Sequence, residues 1–193
     1  MTHIERYHYL IEKLTPRLSP HEMDQVNRAY ALAEAAHKGQ RRDEGAPYII
    51  HPVRVAIALV DELQIHSPSL ICSALLHDVI EDSPTTREEI AGEFGEEIAR
   101  IVWLLTKFED VSLSDYLDAI EDAAETGAPI VKLCDRLDNL RSLADSPKLE
   151  KKYRYIRTTE FFYLPLASRT NSYLHDEISR LLEDVRAQVQ HLG

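Results

Sequence analysis

Residues 70–82, LICSALLHDVIED, concentrate the groups best able to do chemistry. Helical spacing runs an apolar stripe through Leu70, Ile71, Ala74 and Leu75, and that stripe continues to His77, Asp78, Glu81 and Asp82. Burying unpaired charge is too costly to be accidental, so these four groups should be paired or bound to a metal. For a single acid, a stripe that simply reaches the surface at the helix end would be the better account. For His-Asp-x-x-Glu-Asp within six residues a site is favoured. Adjacent His and Asp point about 100° apart on a helix, yet both can reach one ion held in a groove between helices.

A second helix offers a partner. In IVKLCDRLDNLRSL, Ile130, Leu133, Cys134, Leu137 and Leu140 form the core stripe, Asp135 stands beside it, and Asn139 follows one turn later. An ion pair with Lys132 or Arg136 is the plainer account of Asp135. His51 precedes Pro52 at the start of another helix, where a cap or a hydrogen-bonded core histidine is the commoner role. His37, in AAHKGQRR, is a rival ligand or a structural hydrogen bonder. Nucleophile patterns are weak: Ser73 lacks a Gly-rich elbow, neither cysteine has a Cys-x-x-Cys partner, and no His-Glu-x-x-His motif occurs.

The elements that must position these residues read as helices nearly throughout. Periodicity places them at about 3–14, 20–38, 52–64, 68–82, 86–93, 95–106, 113–125, 129–143, 148–164 and 171–191. Ser19-Pro20, Ser67-Pro68 and Ser146-Pro147 each put a capping hydroxyl before a proline suited to a first helical position, and Thr85 with Glu88 has capping-box spacing. Only 47–50, Pro-Tyr-Ile-Ile, has strand composition, and it is too short to anchor a sheet. The loop 39–50 is the longest irregular stretch, a length that often marks function.

The chain has 193 residues, 44% hydrophobic and 28% charged, which predicts one folded domain. Lys and Arg number 22 against 33 acids, a net charge of −11 that argues against DNA or RNA as a partner. Residues 78–97 hold eight acids and one base, and residues 132–157 eight bases and four acids, as solvated faces or as a metal-binding pole beside a phosphate-binding one. Two cysteines in apolar runs, no signal-type apolar core in MTHIERYHYL and no apolar run of membrane-spanning length predict a cytoplasmic protein that is not membrane-bound. Six glycines and no Gly-rich loop leave little room for a dinucleotide or P-loop fold.

The set His51, His77-Asp78 and Asp135 resembles the ligand set of the HD-domain metal-dependent phosphohydrolases. HKGQRRDEGAPYIIHPVRVA, LLHDVIED, EFGEEIARIVWLLTK and KLCDRLDNLRSL together resemble the hydrolase domain of the RelA/SpoT family, and KKYRYIRTTEFFYLPLASR resembles the segment closing it. The likeness spans about residues 24–170 and looks like a small stand-alone alarmone hydrolase. It implies the HD-domain fold, an all-α single compact orthogonal bundle of about ten helices with the metal between the 68–82 and 129–143 helices. It further implies Mn²⁺ on His51, His77, Asp78 and Asp135, with Glu81 and Asp82 as the catalytic acidic pair. Arg42 and Tyr48 would belong to the nucleotide-binding loop, Asn139 to the ribose or base side, and Lys151 and Arg157 to phosphate binding. Two imidazoles and two carboxylates also suit Fe²⁺ or Zn²⁺.

The implied reaction is removal of the 3′ pyrophosphate from (p)ppGpp, giving GDP or GTP. Three positions depart from the family pattern: Asp43 and Ala144 stand where bases are usual, and Thr158 where a Glu is usual. Asp43 is expected to swing into solvent, leaving Arg42 and the bases Lys151, Lys152, Arg154 and Arg157 to hold phosphates. Hydrolysis of another phosphorylated nucleotide, such as the 2′-phosphate of NADPH, is the nearest alternative, and a non-catalytic nucleotide-binding HD protein is a second. A homo-oligomer is left open.

Overall fold

Helix starts follow the oxygens that the sequence supplies to orphan amides. Thr2 and Ser19 each close a capping box, with Glu5 and Glu22, in front of α1 (His3–Leu14) and α2 (Pro20–Ala36). Ser67 caps α4 (Pro68–Leu76) through the Leu70 amide. The box expected from Thr85 and Glu88 forms one residue later, between Thr86 and Glu89, ahead of α6 (Arg87–Phe94). Thr85 instead turns its hydroxyl and amide toward Ser83. Ser146 does not cap a helix with its hydroxyl as Ser146-Pro147 suggested; α10 (Leu149–Thr158) starts later, from Lys148.

The structure is a computed structural model that describes residues 1–143 and 146–190, so Ala144 lies outside the described residues. The remaining helices are α3 (Ile50–Ile57), α5 (Val79–Asp82), α7 (Glu96–Leu105), α8 (Leu113–Asp122), α9 (Ala128–Leu143), α11 (Leu164–Thr170) and α12 (Ser172–Gln190). Wider π-type turns continue α3 over Ala58–Glu62 and join α10 to α11 over Thr159–Tyr163. The architecture is the expected all-α bundle, with no strand among the described residues. No described helix is long and apolar enough to cross a membrane.

Several of the expected helices are interrupted, two of them near the site. The 148–164 segment passes through a π-type turn and runs on to Thr170. The 68–82 segment breaks at His77 and Asp78, where Asp78 takes φ −100° and ψ −2°. That break rotates Glu81 and Asp82 off the buried stripe, and both are exposed rather than core-facing.

Two helices are buried nearly all round. Ile71, Cys72, Ser73, Ala74, Leu75 and Leu76 of α4 are all buried, as are Leu133, Cys134, Leu137 and Leu140 of α9. α3 packs on both, so α3, α4 and α9 meet pairwise, bringing the first turn of α3, the end of α4 and the middle of α9 into one region. The 39–50 loop closes on itself: Arg42 donates to the Ala46 carbonyl at 2.9 Å and Tyr48 to the Gln40 carbonyl at 3.0 Å. An isolated antiparallel bridge links Arg41 and Pro47, so the strand-like 47–50 stretch only steadies the loop.

Gly127 leads into α9 with φ +78°, and a Cβ there would come within 2.8 Å of the flexible end of Leu70 on α4. Gly127→Ala is therefore expected to cost about 1–2 kcal/mol, mostly from the left-handed backbone, read as a lower denaturant midpoint at unchanged slope. An unchanged midpoint would contradict this account.

Candidate metal centre

His51 lies in the first turn of α3, its amide on the Tyr48 carbonyl at 2.9 Å. The ring is buried, and its two nitrogens face different partners. Nδ1 lies 2.7 Å from Asp138 Oδ2, and that carboxylate is also held by Arg54, with Nε 2.7 Å from Oδ1 and Nη2 3.1 Å from Oδ2. An ionised carboxylate only accepts, so Nδ1 carries the proton and the Nε2 lone pair is turned inward. There Nε2 lies 3.1 Å from Asp135 Oδ1 and 3.8 Å from Asp78 Oδ2.

His77 repeats the arrangement from the opposite side. Its Nδ1 donates to the Ala74 carbonyl at 2.8 Å, which the break after Leu76 permits. Its Nε2 lies 3.1 Å from Asp78 Oδ2 and 3.9 Å from Asp135 Oδ1. That nitrogen is wholly buried and makes no hydrogen bond. An orphaned imidazole nitrogen beside carboxylate oxygens is what a divalent cation would satisfy. Ligand atoms of His51, His77 and Asp78 all lie within 4.8 Å of one another, a mixed nitrogen and oxygen group, and Asp135 Oδ1 approaches the same two Nε2 atoms to 3.1 and 3.9 Å.

The carboxylates are oriented from outside. Asp78 Oδ2 accepts from the Tyr48 hydroxyl at 2.6 Å. Asp135 Oδ2 pairs with Lys132 at 2.9 Å, while Oδ1 accepts from Asn139 Nδ2 at 2.5 Å. Asn139 Oδ1 in turn accepts from Arg42 at 3.1 Å. The Lys132 pair that would have explained Asp135 by itself thus coexists with the approach to both imidazoles. Arg136, the other candidate partner, lies over the Tyr155 and Tyr163 rings instead.

Burial opposes every charge here, and the partners overcome it. Asp135 sits well below the carboxylate range because of Lys132 and the two imidazoles, and Asp78 is lowered by His77 and His51. Against the same burial, Asp78 raises His77 to about 9, and Asp135 with Asp138 raises His51.

Glu81 and Asp82 lie just outside this set. Glu81 Oε2 accepts from the Lys107 amide at 3.0 Å, and Asp82 Oδ2 is 3.6 Å from His37 Nδ1. Partial desolvation of the carboxyl groups, then the Asp78 charge, raises both, which suits proton transfer. His37 is a hydrogen bonder: Nδ1 meets Gln40 Oε1 at 2.9 Å, and the ring lies against Tyr48.

A cavity of about 260 Å³ is lined by His51, Asp78, Asp135, Tyr48, Arg41, Arg42, Asn139, Asp43, Lys151 and Tyr155. Asp43 does not swing into solvent. Its two oxygens bind Lys148 and Lys151, each at 2.7 Å, and Ser146 donates to it at 3.2 Å. Lys151 therefore lines the cavity already paired. Arg157 does not line it: Lys151 and Tyr155, four apart, share the inward face of α10, whereas Arg157 is on the exposed face. Lys152 is buried, with Nζ 3.5 Å from Gln188 Oε1. Thr158 donates to the Arg154 carbonyl of its own helix, at 2.9 Å.

Sequence reading missed Asp138, Arg54 and Lys107. The first two were findable, since Arg54 follows His51 by three residues, as Asp138 follows Asp135, giving matched pairs on facing helices. Lys107 acts through its backbone and leaves no side-chain signal.

Removing the outer partner of a metal-ligating histidine typically costs 10–100-fold in affinity. Asp138→Asn is expected to fold and to bind Mn²⁺ about 10–100-fold more weakly in equilibrium dialysis. Unchanged affinity would show that Asp138 does not orient His51 for a metal.

The HD-domain family pattern matches residues 29–172. The chain is 38% identical over 165 residues to a guanosine-3′,5′-bis(diphosphate) 3′-pyrophosphohydrolase of Aquifex aeolicus, covering 82% of this chain and 23% of that one. It is 36% identical over 174 residues to the bifunctional (p)ppGpp synthase/hydrolase SpoT of Escherichia coli, covering 83% and 24%. It thus spans about a quarter of the length of these curated relatives. A solved structure described as a metazoan ortholog of SpoT that hydrolyzes ppGpp superposes with a TM-score of 0.72 at 24% identity, over 83% of this chain and 94% of that one, a likeness of fold. With the match running from α2 into the start of α12 across the whole histidine–aspartate cluster, the chain belongs to the HD-domain family.

Proposed function

We propose that the protein is a Mn²⁺-dependent (p)ppGpp 3′-pyrophosphohydrolase, producing GDP or GTP and pyrophosphate in the cytoplasm. The observation that carries the chemistry is the convergence of two Nδ1-protonated imidazoles, Nε2 inward, on the carboxylates of Asp78 and Asp135. The names of the sequence relatives support the nucleotide.

His51, His77, Asp78 and Asp135 would hold the metal. A divalent ion bound there supplies a Lewis acid and an acidified water. Asp138 and the Ala74 carbonyl keep both rings in the ligating tautomer. Asn139 and Lys132 hold Asp135, and the Tyr48 hydroxyl holds Asp78. Glu81, fixed by the Lys107 amide, and Asp82 have raised carboxyl pKa values and accept the proton of the attacking water. Arg42, anchored on Asn139, presents its remaining donors to the substrate.

The carboxylate of Asp43 in the cavity favours a second reading, a phosphorylated nucleotide of lower charge such as NADPH, cleaved at its 2′-phosphate. Incubating the Mn²⁺-loaded protein with ppGpp, pppGpp and NADPH decides between them. Pyrophosphate from the guanosine nucleotides is expected. Inorganic phosphate from NADPH alone would overturn the first reading.

Glu81→Gln should retain the metal and lose activity by on the order of 10²–10⁴-fold, while His77→Ala should lose both. Equal metal loss in the two variants would make Glu81 a ligand and contradict its assigned role.

A further inference from the structure

We propose that Asp43 is a specificity-determining residue: it neutralises Lys151, which lines the cavity of the metal cluster, together with the exposed Lys148, and thereby tunes the site against substrates with extra phosphates away from the reacting group. The inference rests on the proposed nucleotide hydrolysis and names the charge that the site selects.

The geometry is that of an anion site filled by the protein's own side chain. Lys148 and Lys151 are three apart at the start of α10, so their ammonium groups reach the same region. Each takes one oxygen of Asp43 at 2.7 Å, and the Ser146 hydroxyl donates to Oδ2 at 3.2 Å. Two ammonium groups and a hydroxyl around two oxygens would serve a phosphate equally well. The Asp43 side chain is only 14% exposed, unlike a loose surface pair, and the self-closing 39–50 loop holds its backbone.

Its position gives the pair a bearing on the substrate. Asp43 and Lys151 line the same cavity as His51, Asp78 and Asp135. A nucleotide whose reacting phosphoryl group lies at the cluster meets Asp43 and Lys151 with its remaining parts. With Asp43 ionised, Asp43, Lys148 and Lys151 together carry one net positive charge; without it they carry two. Each further phosphate then meets a half-neutralised patch and a fixed carboxylate, in a partly enclosed space where salt screens incompletely.

The test compares wild type, Asp43→Asn and Asp43→Glu, all loaded with Mn²⁺. Binding of GMP, GDP and GTP is measured first by calorimetry. Wild type and Asp43→Glu should show affinity that is flat or falling along the series, whereas Asp43→Asn should gain roughly threefold to tenfold per added phosphate. A uniform shift of all three ligands in Asp43→Asn, as loss of a loop tether would give, overturns the proposal, as does no shift. Hydrolysis of guanosine 3′-diphosphates with one, two or three 5′-phosphates is then expected to follow the same order in kcat/KM. Turnover of none by any of the proteins would overturn the hydrolase reading, while the binding series still decides the role of Asp43.

Discussion

Two carboxylates, Asp78 and Asp135, share a buried space with two imidazoles, and the surrounding structure follows from keeping them there. Taking such charges from water costs several kcal/mol each unless they are compensated. Compensation comes from each side: Lys132 on Asp135, the Tyr48 hydroxyl on Asp78, and the inward ring edges of His51 and His77 between them. The outward ring edges are tied separately, to Asp138 with Arg54 and to the Ala74 carbonyl. Each ring thus has one edge fixed by the protein and one left for chemistry.

That division needs rigid supports at fixed separation. α4 and α9 provide them because both are buried nearly all round, so the polar groups they carry have little freedom. The outer part of the cavity is built differently. Arg42 and Asp43 come from a hydrogen-bonded loop, and Lys148 and Lys151 from the exposed start of α10, joined by ion pairs rather than by apolar packing. The proposed chemistry and the proposed substrate preference therefore rest on elements held in different ways, one by apolar burial and the other by a loop and ion pairs.

The sequence made the helical class and the cluster legible for one reason: apolar stripes of period 3.6 ran into ionisable residues at known offsets. His77, Asp78 and Asp135 stood out in this way, and the capping oxygens of α2 and α4 marked their starts. The break at His77–Asp78 was not legible, because it is set by tertiary packing and a side-chain bond to Ala74 rather than by a Gly or Pro. Extending the stripe past it wrongly carried Glu81 and Asp82 into the core. Asp43 was misjudged for a related reason. Its lysines lie more than a hundred residues away, and no local pattern announces a long-range ion pair.

The central claim is that one divalent ion belongs between α3, α4 and α9. Anomalous diffraction from crystals grown with Mn²⁺ tests it most directly. The account predicts one strong peak per chain, at about 2.0–2.3 Å from His51 Nε2, His77 Nε2 and carboxylate oxygens of Asp78 and Asp135. A peak elsewhere, ligation through Nδ1 of either histidine, or an ion that leaves Asp135 on Lys132 alone would contradict it.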